Sequence, residues 1–171
     1  MPVSLILGGA RSGKSDFAER LAGSACARPI YLATARPGDA EMAERIARHK
    51  QRRGPAWQLV EEELEIAPLI AATKAGEAVL IDCLTLWLAN LMAAERDTAA
   101  ASDKLVSALD DARGEVVVVS NEVGCGIVPD NALARRFRDE AGVLNQRVAE
   151  AAGRVVLMAA GLPLVLKGDG S

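Results

Sequence analysis

The sequence is poor in aromatic residues: only 3% of its 171 residues are Phe, Trp or Tyr, whereas 50% are hydrophobic. A core with so few rings has to be filled by Ala, Val, Leu and Ile, as happens where helices pack on a sheet. Long apolar runs are also missing. The segment Val3 to Leu7 is far shorter than the ~20 residues that a membrane-spanning helix needs. These two absences favour an α/β protein without a membrane span.

Cysteine and histidine are scarce as well. Cys26, Cys83 and Cys125 are far apart and form no C-x-x-C pair, and the chain has one histidine. A disulfide framework and a Cys/His zinc site are therefore unsupported, and a reducing cytoplasm is the expected location. The net charge of -3 gives no general attraction to nucleic acid or to an anionic membrane, so an anion site has to arise from local geometry.

What the sequence does contain is a regular alternation of short apolar segments with longer helical patterns. The segments that predict strands are Val3 to Leu7, Ile30 to Ala33, Ala78 to Ile81, Val116 to Val119 and Val155 to Met158, with two weaker ones at Trp57 to Glu61 and Leu162 to Leu166. Helical patterns cover 14–24, 39–53, 84–95, 99–113 and 131–152. Fully apolar strands alternating with helices are typical of a mostly parallel sheet that is covered on both faces.

This pattern predicts one α/β domain over residues 1–171, with helices on both faces of a mostly parallel sheet. The segment Leu162 to Leu166 is expected as an antiparallel edge strand, because Pro163 cannot donate to a central ladder. The last residues, 167–171, include two glycines and are predicted to fray.

One short motif assigns chemistry to this fold. Residues 8–15 match the P-loop pattern G-x-x-x-x-G-K-[ST] and lie directly between a predicted strand and a predicted helix, as that motif requires. They are Gly8, Gly9, Ala10, Arg11, Ser12, Gly13, Lys14 and Ser15. In such a loop the backbone N–H groups and the helix N-terminus surround a polyphosphate, the lysine adds a charge, and the Ser15 hydroxyl is placed to hold Mg²⁺. The alternative is a glycine-rich turn with an incidental Lys-Ser pair. The motif in this context predicts a P-loop NTPase-type enzyme.

A P-loop usually works with a metal-ordering acid at the end of a neighbouring strand. Asp82, which follows Ala78 to Ile81, is the best candidate for this Walker B position and for a second metal ligand. The alternative is that Asp82 caps the helix that begins near Leu84.

The lone histidine lies in an unusually basic segment. His49 shares a predicted helix face with Met42 and Ile46, which by itself favours a buried structural histidine. The basic residues around it are Arg45, Arg48, Lys50, Arg52 and Arg53, a concentration that suits phosphate oxygens. A neutral imidazole is also able to attack phosphorus and form a phosphoramidate. A structural histidine, a solvated basic helix and a covalent relay therefore stay open at this point.

Several segments together resemble the bifunctional adenosylcobinamide kinase/adenosylcobinamide-phosphate guanylyltransferase family of cobalamin biosynthesis. The resemblance extends over nearly the whole chain. It is carried by residues 7–15, 31–35 and 39–50, by Trp57 with Glu61, by residues 82–85 with Asn90-Leu91, and by Ser120-Asn121-Glu122-Val123-Gly124-Cys125-Gly126-Ile127-Val128-Pro129. The histidine segment and the N-E-V-G-x-G-I-V-P run are more specific than the P-loop, which many families share.

The resemblance implies roles for particular residues. The histidine that matches His49 is guanylylated in that family, and Lys14 is the second catalytic residue that it implies. Family contacts to GTP fall on the P-loop and on Ala33, Thr34, Ala35, Lys50, Gln51, Arg52, Arg53, Glu61 and Asp82. Some members have Glu at the last position, so the shorter Asp82 changes how a metal would be reached. From the residues alone, the alternatives stay open that Glu61 is an exposed strand residue and that Asn121 and Glu122 belong to a solvated turn.

The implied function has two steps: phosphorylation of adenosylcobinamide, and transfer of GMP from GTP through His49 to the phosphorylated corrinoid. The cofactors are GTP, with ATP as an alternative for the kinase step, and Mg²⁺. The family forms trimers, so a homo-oligomer is expected. Two alternatives are an ATP-dependent small-metabolite kinase without a covalent intermediate and a nucleotide sensor without catalysis. The chain has no N-K-x-D segment, so guanine preference rests on the resemblance.

Overall fold

The computed structural model describes residues 3–35 and 56–168. Within these ranges the chain forms one seven-stranded sheet with helices packed on it. The strands are β1 (Val3–Gly8), β2 (Ile30–Ala33), β3 (Gln58–Glu61), β4 (Ala78–Asp82), β5 (Glu115–Asn121), β6 (Arg154–Ala159) and β7 (Leu162–Lys167). All seven strands agree with the strand segments predicted from the sequence, with ends that differ by at most two residues.

The strands lie in the order β3-β2-β4-β5-β1-β6-β7. Every neighbouring pair is parallel except β6 and β7, which are antiparallel. Pro163 lies in β7, at the edge of the sheet, where its missing N–H interrupts no central ladder. The predicted fold class, a mostly parallel α/β sheet with an antiparallel edge strand, is confirmed.

The described helices are α1 (Lys14–Ala25), α2 (Ala67–Ala71), α3 (Leu84–Ala93), α4 (Thr98–Asp111) and α5 (Ala132–Ala151). The side chains of Asp97 and Asn131 cap α4 and α5, accepting hydrogen bonds from Ala100 N at 3.0 Å and Ala134 N at 2.8 Å. The sequence did not predict α2, whose five residues are too few to show a helical period. The predicted helix 39–53 lies outside the described residues.

Aliphatic side chains fill both faces of the sheet. The face with α1 buries residues such as Ile6, Ala18 and Val117, and the face with α3, α4 and α5 buries a larger set that includes Trp87. Trp87 is the largest fully buried side chain, and its indole N–H donates to Leu64 O at 2.8 Å. The small number of rings in the sequence is thus matched by a core of Val, Leu, Ile and Ala.

Lys167, which the sequence placed at the start of a frayed tail, is the last residue of β7. Its ammonium donates to the carbonyl oxygens of Ala149 and Glu150, at 2.9 and 2.8 Å, near the C-terminus of α5. The rest of the predicted tail, from 169 onward, lies outside the described residues. No helix within the described ranges is long and apolar enough to cross a membrane.

Candidate functional site

The P-loop residues 8–15, which we call the phosphate cradle, connect β1 directly to α1. Gly8 is the last residue of β1 and Lys14 is the first residue of α1. Between them the backbone turns through left-handed conformations, with φ of 55° at Arg11 and 90° at Gly13. Glycine adopts the second of these without a steric penalty, whereas other residues favour negative φ. The strand–loop–helix geometry that a phosphate cradle requires is therefore present.

The cradle is packed closely against the β6–β7 turn. A Cβ atom added at Gly8 would lie against Ser12 Oγ and 2.8 Å from Met158 O, which leaves no space for a side chain. The amide of Gly161 donates to Ser12 O at 3.0 Å and joins the cradle to that turn. Gly8 is therefore required by close packing, while a Cβ added at Gly9 would meet no atom within 4 Å.

Lys14 and Ser12 are the buried polar side chains of the cradle. Lys14 is only 9% exposed, and its Nζ donates to Gly9 O at 2.9 Å, so the ammonium is folded back over the loop. Ser12 Oγ is buried and has no hydrogen-bond partner among the described residues. Buried hydroxyls are usually paired with protein, water or ligand. Both side chains are therefore suited to bind an anion that enters the loop.

Asp82 ends β4 at the same edge of the sheet. In the strand register it lies beside Ala33, which in turn lies beside Glu61, so these three predicted site residues form one row across β4, β2 and β3. The carboxylate of Asp82 accepts a hydrogen bond from the buried Tyr31 hydroxyl. The N-cap of α3 is Cys83. The alternative interpretation of Asp82 as a helix cap is therefore wrong, because Tyr31 binds its carboxylate instead.

The thiol of Cys83 lies near both the cradle and the end of β4, because charges on both elements affect its pKa. Burial raises the pKa of Cys83, the negative charge of Asp82 raises it further, and the positive charge of Lys14 opposes both. Lys14 and Asp82 therefore act on the same sulfur atom although they lie on different elements. The structure brings the predicted cationic residue and the predicted acidic residue into one site.

Polar side chains also join the ends of β2, β4 and β5. We call this group, formed by Thr34, Asp82, Cys83, Thr85 and Asn121, the strand-end network. Thr34 is fully buried, and its hydroxyl accepts from Cys83 N at 3.0 Å and donates to Cys83 O at 2.9 Å. Asn121 Nδ2 donates to Thr85 Oγ1 at 2.6 Å, and Thr85 Oγ1 lies 3.2 Å from Cys83 Sγ. Asn121 is thus a structural member of the network rather than part of a solvated turn.

Some of the remaining predicted residues lie near the cradle edge, and others lie outside the described residues. Glu61 is exposed at the end of β3, and Ala33 and Ala35 flank Thr34 at the end of β2, on the same edge as the cradle. Glu122 follows β5, and its carboxylate accepts from Gly124 N at 2.6 Å, which is a local turn contact. The catalytic candidate His49 and the predicted contacts Lys50, Gln51, Arg52 and Arg53 lie outside the described residues.

Three positioning side chains were not assigned roles from the sequence. Tyr31 binds Asp82 and also meets Trp57 edge-to-face, with ring centroids 6.0 Å apart. Asn90 Nδ2 donates to Thr34 O at 2.7 Å, and Asn145 Oδ1 accepts from the buried Ser120 hydroxyl at 2.6 Å. Tyr31 and Asn90 lie in segments that carry the family resemblance, but their partners are distant in sequence. No local pattern identifies such a partner.

The donor set at this edge fits a hard cation that is shared with a phosphate. Ser15 offers a hydroxyl and Asp82 a carboxylate, both oxygen ligands of the kind that Mg²⁺ prefers. Across 3–35 and 56–168 there is no group of three or more His, Cys, Asp or Glu side chains that could hold a metal ion. Mg²⁺ in nucleotide sites is commonly held by one or two protein oxygens together with phosphate oxygens and water. The residues present fit that arrangement.

Sequence comparisons extend over nearly the whole chain. The chain is 46% identical over 168 residues to the bifunctional adenosylcobalamin biosynthesis protein CobP of Pseudomonas aeruginosa, covering 96% of this chain and 97% of that protein. It is 40% identical to the bifunctional adenosylcobalamin biosynthesis protein CobU of Escherichia coli and 41% identical to that of Salmonella typhimurium, in both cases over 95% of this chain and 98% of the relative.

A solved structure of an ATPase domain aligns with a TM-score of 0.47 at 11% identity, over 91% of this chain and 68% of that one, which supports no conclusion about function. The family model described as cobinamide kinase / cobinamide phosphate guanyltransferase matches residues 4–166. The chain therefore belongs to the cobinamide kinase / cobinamide phosphate guanyltransferase family.

Proposed function

We propose that this chain phosphorylates adenosylcobinamide and then transfers GMP from GTP to adenosylcobinamide phosphate, giving adenosylcobinamide-GDP. The observation that supports the proposal is that the cradle, which contains Lys14, and the carboxylate of Asp82 lie at the same edge of the sheet, at the ends of β1 and β4 on either side of β5. In such a site Lys14 would bind phosphate and Asp82 would order a metal ion. Family membership supplies the acceptor.

In the kinase step, the hydroxyl of the corrinoid aminopropanol arm attacks the γ-phosphorus of the nucleotide. The new O–P bond forms as the bond to the β-phosphate oxygen breaks, so the nucleoside diphosphate leaves and the hydroxyl proton passes to solvent. Lys14 lies at the start of α1, where its charge and the helix N-terminus stabilise the negative oxygens of the transferring group. Ser15 and Asp82 would hold Mg²⁺, which when bound neutralises phosphate charge.

In the transferase step, a nitrogen of His49 attacks the α-phosphorus of GTP and pyrophosphate leaves, so GMP is joined to the imidazole through an N–P bond. A phosphate oxygen of adenosylcobinamide phosphate then attacks the same phosphorus, the N–P bond breaks and the histidine is regenerated. The support for His49, and for Lys50, Gln51, Arg52 and Arg53 as GTP contacts, is the family resemblance. The P-loop and Ala33 to Ala35, Glu61 and Asp82 complete the proposed nucleotide site.

The proposal extends to the setting of the enzyme. A homotrimer rests on the family resemblance, and GTP is the preferred nucleotide, with ATP as an alternative donor for the kinase step. Cys26, Cys83 and Cys125 are all free thiols, which agrees with a reducing cytoplasm.

The test is covalent labelling with GTP that carries ³²P in the α position. Because the chain contains a single histidine, an acid-labile and alkali-stable label should disappear completely in His49→Ala and in His49→Gln. GTP labelled in the γ position should leave no covalent label, which controls for phosphorylation of the protein. An ATP-dependent kinase without a covalent intermediate would give no label and would retain turnover in His49→Ala. Full labelling of that variant would remove the histidine relay.

A further inference from the structure

The segment 122–131, which connects β5 to α5, leaves the sheet directly beside the phosphate cradle. Asn121, the last residue of β5, lies opposite Gly8 in the strand register, and Glu122 N donates to Gly8 O at 3.1 Å. Ile127 follows five residues after Glu122, and five extended residues span at most about 18 Å. The middle of this segment, which we call the β5–α5 loop, therefore lies within about 18 Å of Glu122, whose amide is bonded to the cradle.

The backbone of the β5–α5 loop is held at both ends. The Glu122 carboxylate accepts from Gly124 N at 2.6 Å. At the other end, Arg135 Nη1 donates to Pro129 O at 3.0 Å and to Asp130 O at 2.8 Å, and Asn131 caps α5. These contacts hold the two ends of the loop, on either side of Ile127 and Val128.

Those central side chains are apolar and exposed. Ile127 is 96% exposed, Val128 is 60% exposed, and Leu133 in the first turn of α5 is 67% exposed. Single exposed apolar residues are common, but an adjacent pair such as Ile127 and Val128 near a proposed reaction site is typical of a binding surface. The loop contains no Lys or Arg and two acidic residues, Glu122 and Asp130, so its charge does not suit a triphosphate. The loop therefore suits the other substrate, which has to reach the γ-phosphate with a large, partly apolar body.

We propose that Ile127 and Val128 bind the apolar face of the corrin ring of the acceptor. This inference rests on the proposed function, because the acceptor arm has to reach the phosphate held by the cradle while the ring lies on a neighbouring surface. The β5–α5 loop is such a surface: it begins at the residue whose amide is bonded to the carbonyl of Gly8. Burying two side chains against the ring supplies affinity for the acceptor without contacting the nucleotide.

The variant that tests this binding surface is the double substitution Ile127→Ser with Val128→Ser. The matched control is Val143→Ser, because Val143 is a valine in the middle of α5 whose exposure of 56% is close to the 60% of Val128. With nucleotide saturating, the double variant should raise the KM for adenosylcobinamide about tenfold to one hundredfold, and the control should change it less than about twofold. Labelling of His49 by GTP alone should be unchanged in both. An unchanged KM in the double variant would overturn the inference.

Assembly is measured on the same samples by light scattering after size exclusion. If the double variant dissociates while the Val143→Ser protein keeps its assembly, the surface is a contact between copies of this chain and the corrinoid assignment is wrong. If the parent protein neither labels with GTP nor phosphorylates the corrinoid, the proposed function fails, and this inference fails with it. If the parent is active and only the KM prediction fails, the proposed function stands and the inference alone is rejected.

A binding measurement that does not depend on turnover uses a cysteine already in the loop. Cys125 is exposed, whereas Cys26 is partly buried on another part of the chain and serves as the internal reference. Saturating adenosylcobinamide without nucleotide should slow alkylation of Cys125 by iodoacetamide at least about fivefold and leave the rate at Cys26 unchanged. Equal rates at Cys125 with and without the corrinoid would also overturn the inference.

Discussion

The phosphate cradle and the strand-end network lie at the same edge of the sheet but are built in different ways. The cradle takes its shape from backbone conformations within residues 8–15, including the left-handed φ at Gly13, and its buried Ser12 hydroxyl has no partner among the described residues. In the strand-end network, side chains such as Thr34 and Asn121 are bonded to residues of other elements. The first region is shaped by its own backbone, and the second joins the ends of three strands through side-chain hydrogen bonds. Substitutions in the two regions should therefore affect different properties.

The largest effect is expected for Lys14→Met. This change keeps the length of the side chain but removes the charge that, in the proposed mechanism, stabilises the transferring phosphate, so kinase turnover should fall by about 10²- to 10³-fold. Lys104→Met, which removes an exposed charge from α4, should leave turnover unchanged. Steady-state rates and urea unfolding are to be measured on both proteins. If the free energy of unfolding of Lys14→Met falls by as much as its free energy of activation rises, Lys14 is a structural residue instead.

Substitutions at two neighbouring glycines, Gly8 and Gly9, should separate the energetic cost of close packing in the cradle from the cost of lost backbone freedom. Gly8→Ala forces a Cβ atom against Ser12 and Met158 O, and we expect a cost of about 2 to 3 kcal/mol in the free energy of unfolding. Gly9→Ala meets no atom within 4 Å and should cost less than about 1 kcal/mol. Urea denaturation without nucleotide measures both values. Equal costs at the two positions would contradict the close packing around Gly8.

In the strand-end network, Thr34→Val should lower stability by about 1 to 2 kcal/mol. Valine has nearly the same shape as threonine but lacks the hydroxyl, so the buried amide of Cys83 loses its acceptor. Thr34→Ser retains the hydroxyl and is the control, with a cost limited to the lost methyl group. If valine proves as stable as serine at this position, the hydroxyl does not hold β2 to β4. Thermal or urea unfolding with nucleotide absent is the appropriate measurement.

The same contrast explains how much of the site the sequence predicts. The strand–loop–helix position of the cradle is predicted, because its motif and its flanking strand and helix are contiguous in the chain. The strand-end network is not, because its bonds connect residues such as Thr34 and Cys83 that are 49 positions apart. Apolar periodicity locates a strand, but it contains no information on which polar side chain meets which at the strand ends. The helix-cap interpretation of Asp82 was wrong for this reason: the competing donor, Tyr31, comes from another strand.

Helix α2 illustrates a second limit. Its five residues, with Pro68 in the first turn, follow an N-cap residue that makes no side-chain capping bond. Ile70 is fully buried in the larger core, so packing holds this turn rather than helix propensity. A sequence pattern of this length is compatible with a loop or a helix. Tertiary contacts, which the sequence does not display, decide between them.

The smallest expected effect lies beside the strand-end network, at the hydrogen bond that Asp82 accepts from Tyr31. Tyr31→Phe keeps the ring and its contact with Trp57 but removes the donor that orients the carboxylate. If Asp82 helps to hold Mg²⁺, the Mg²⁺ concentration for half-maximal kinase activity should rise about threefold to tenfold, while kcat at saturating Mg²⁺ stays within about twofold.

Trp57→Phe is the matched control, since it alters the other side of the Tyr31 ring and should leave the Mg²⁺ dependence unchanged. A purely structural role for the hydroxyl predicts a different result: a lower free energy of unfolding with the same Mg²⁺ dependence. A fall in kcat at every Mg²⁺ concentration would mean that Tyr31 acts on the reacting groups directly. Only a higher Mg²⁺ requirement without a loss of kcat would show that Tyr31 positions Asp82 as a metal ligand beside the cradle.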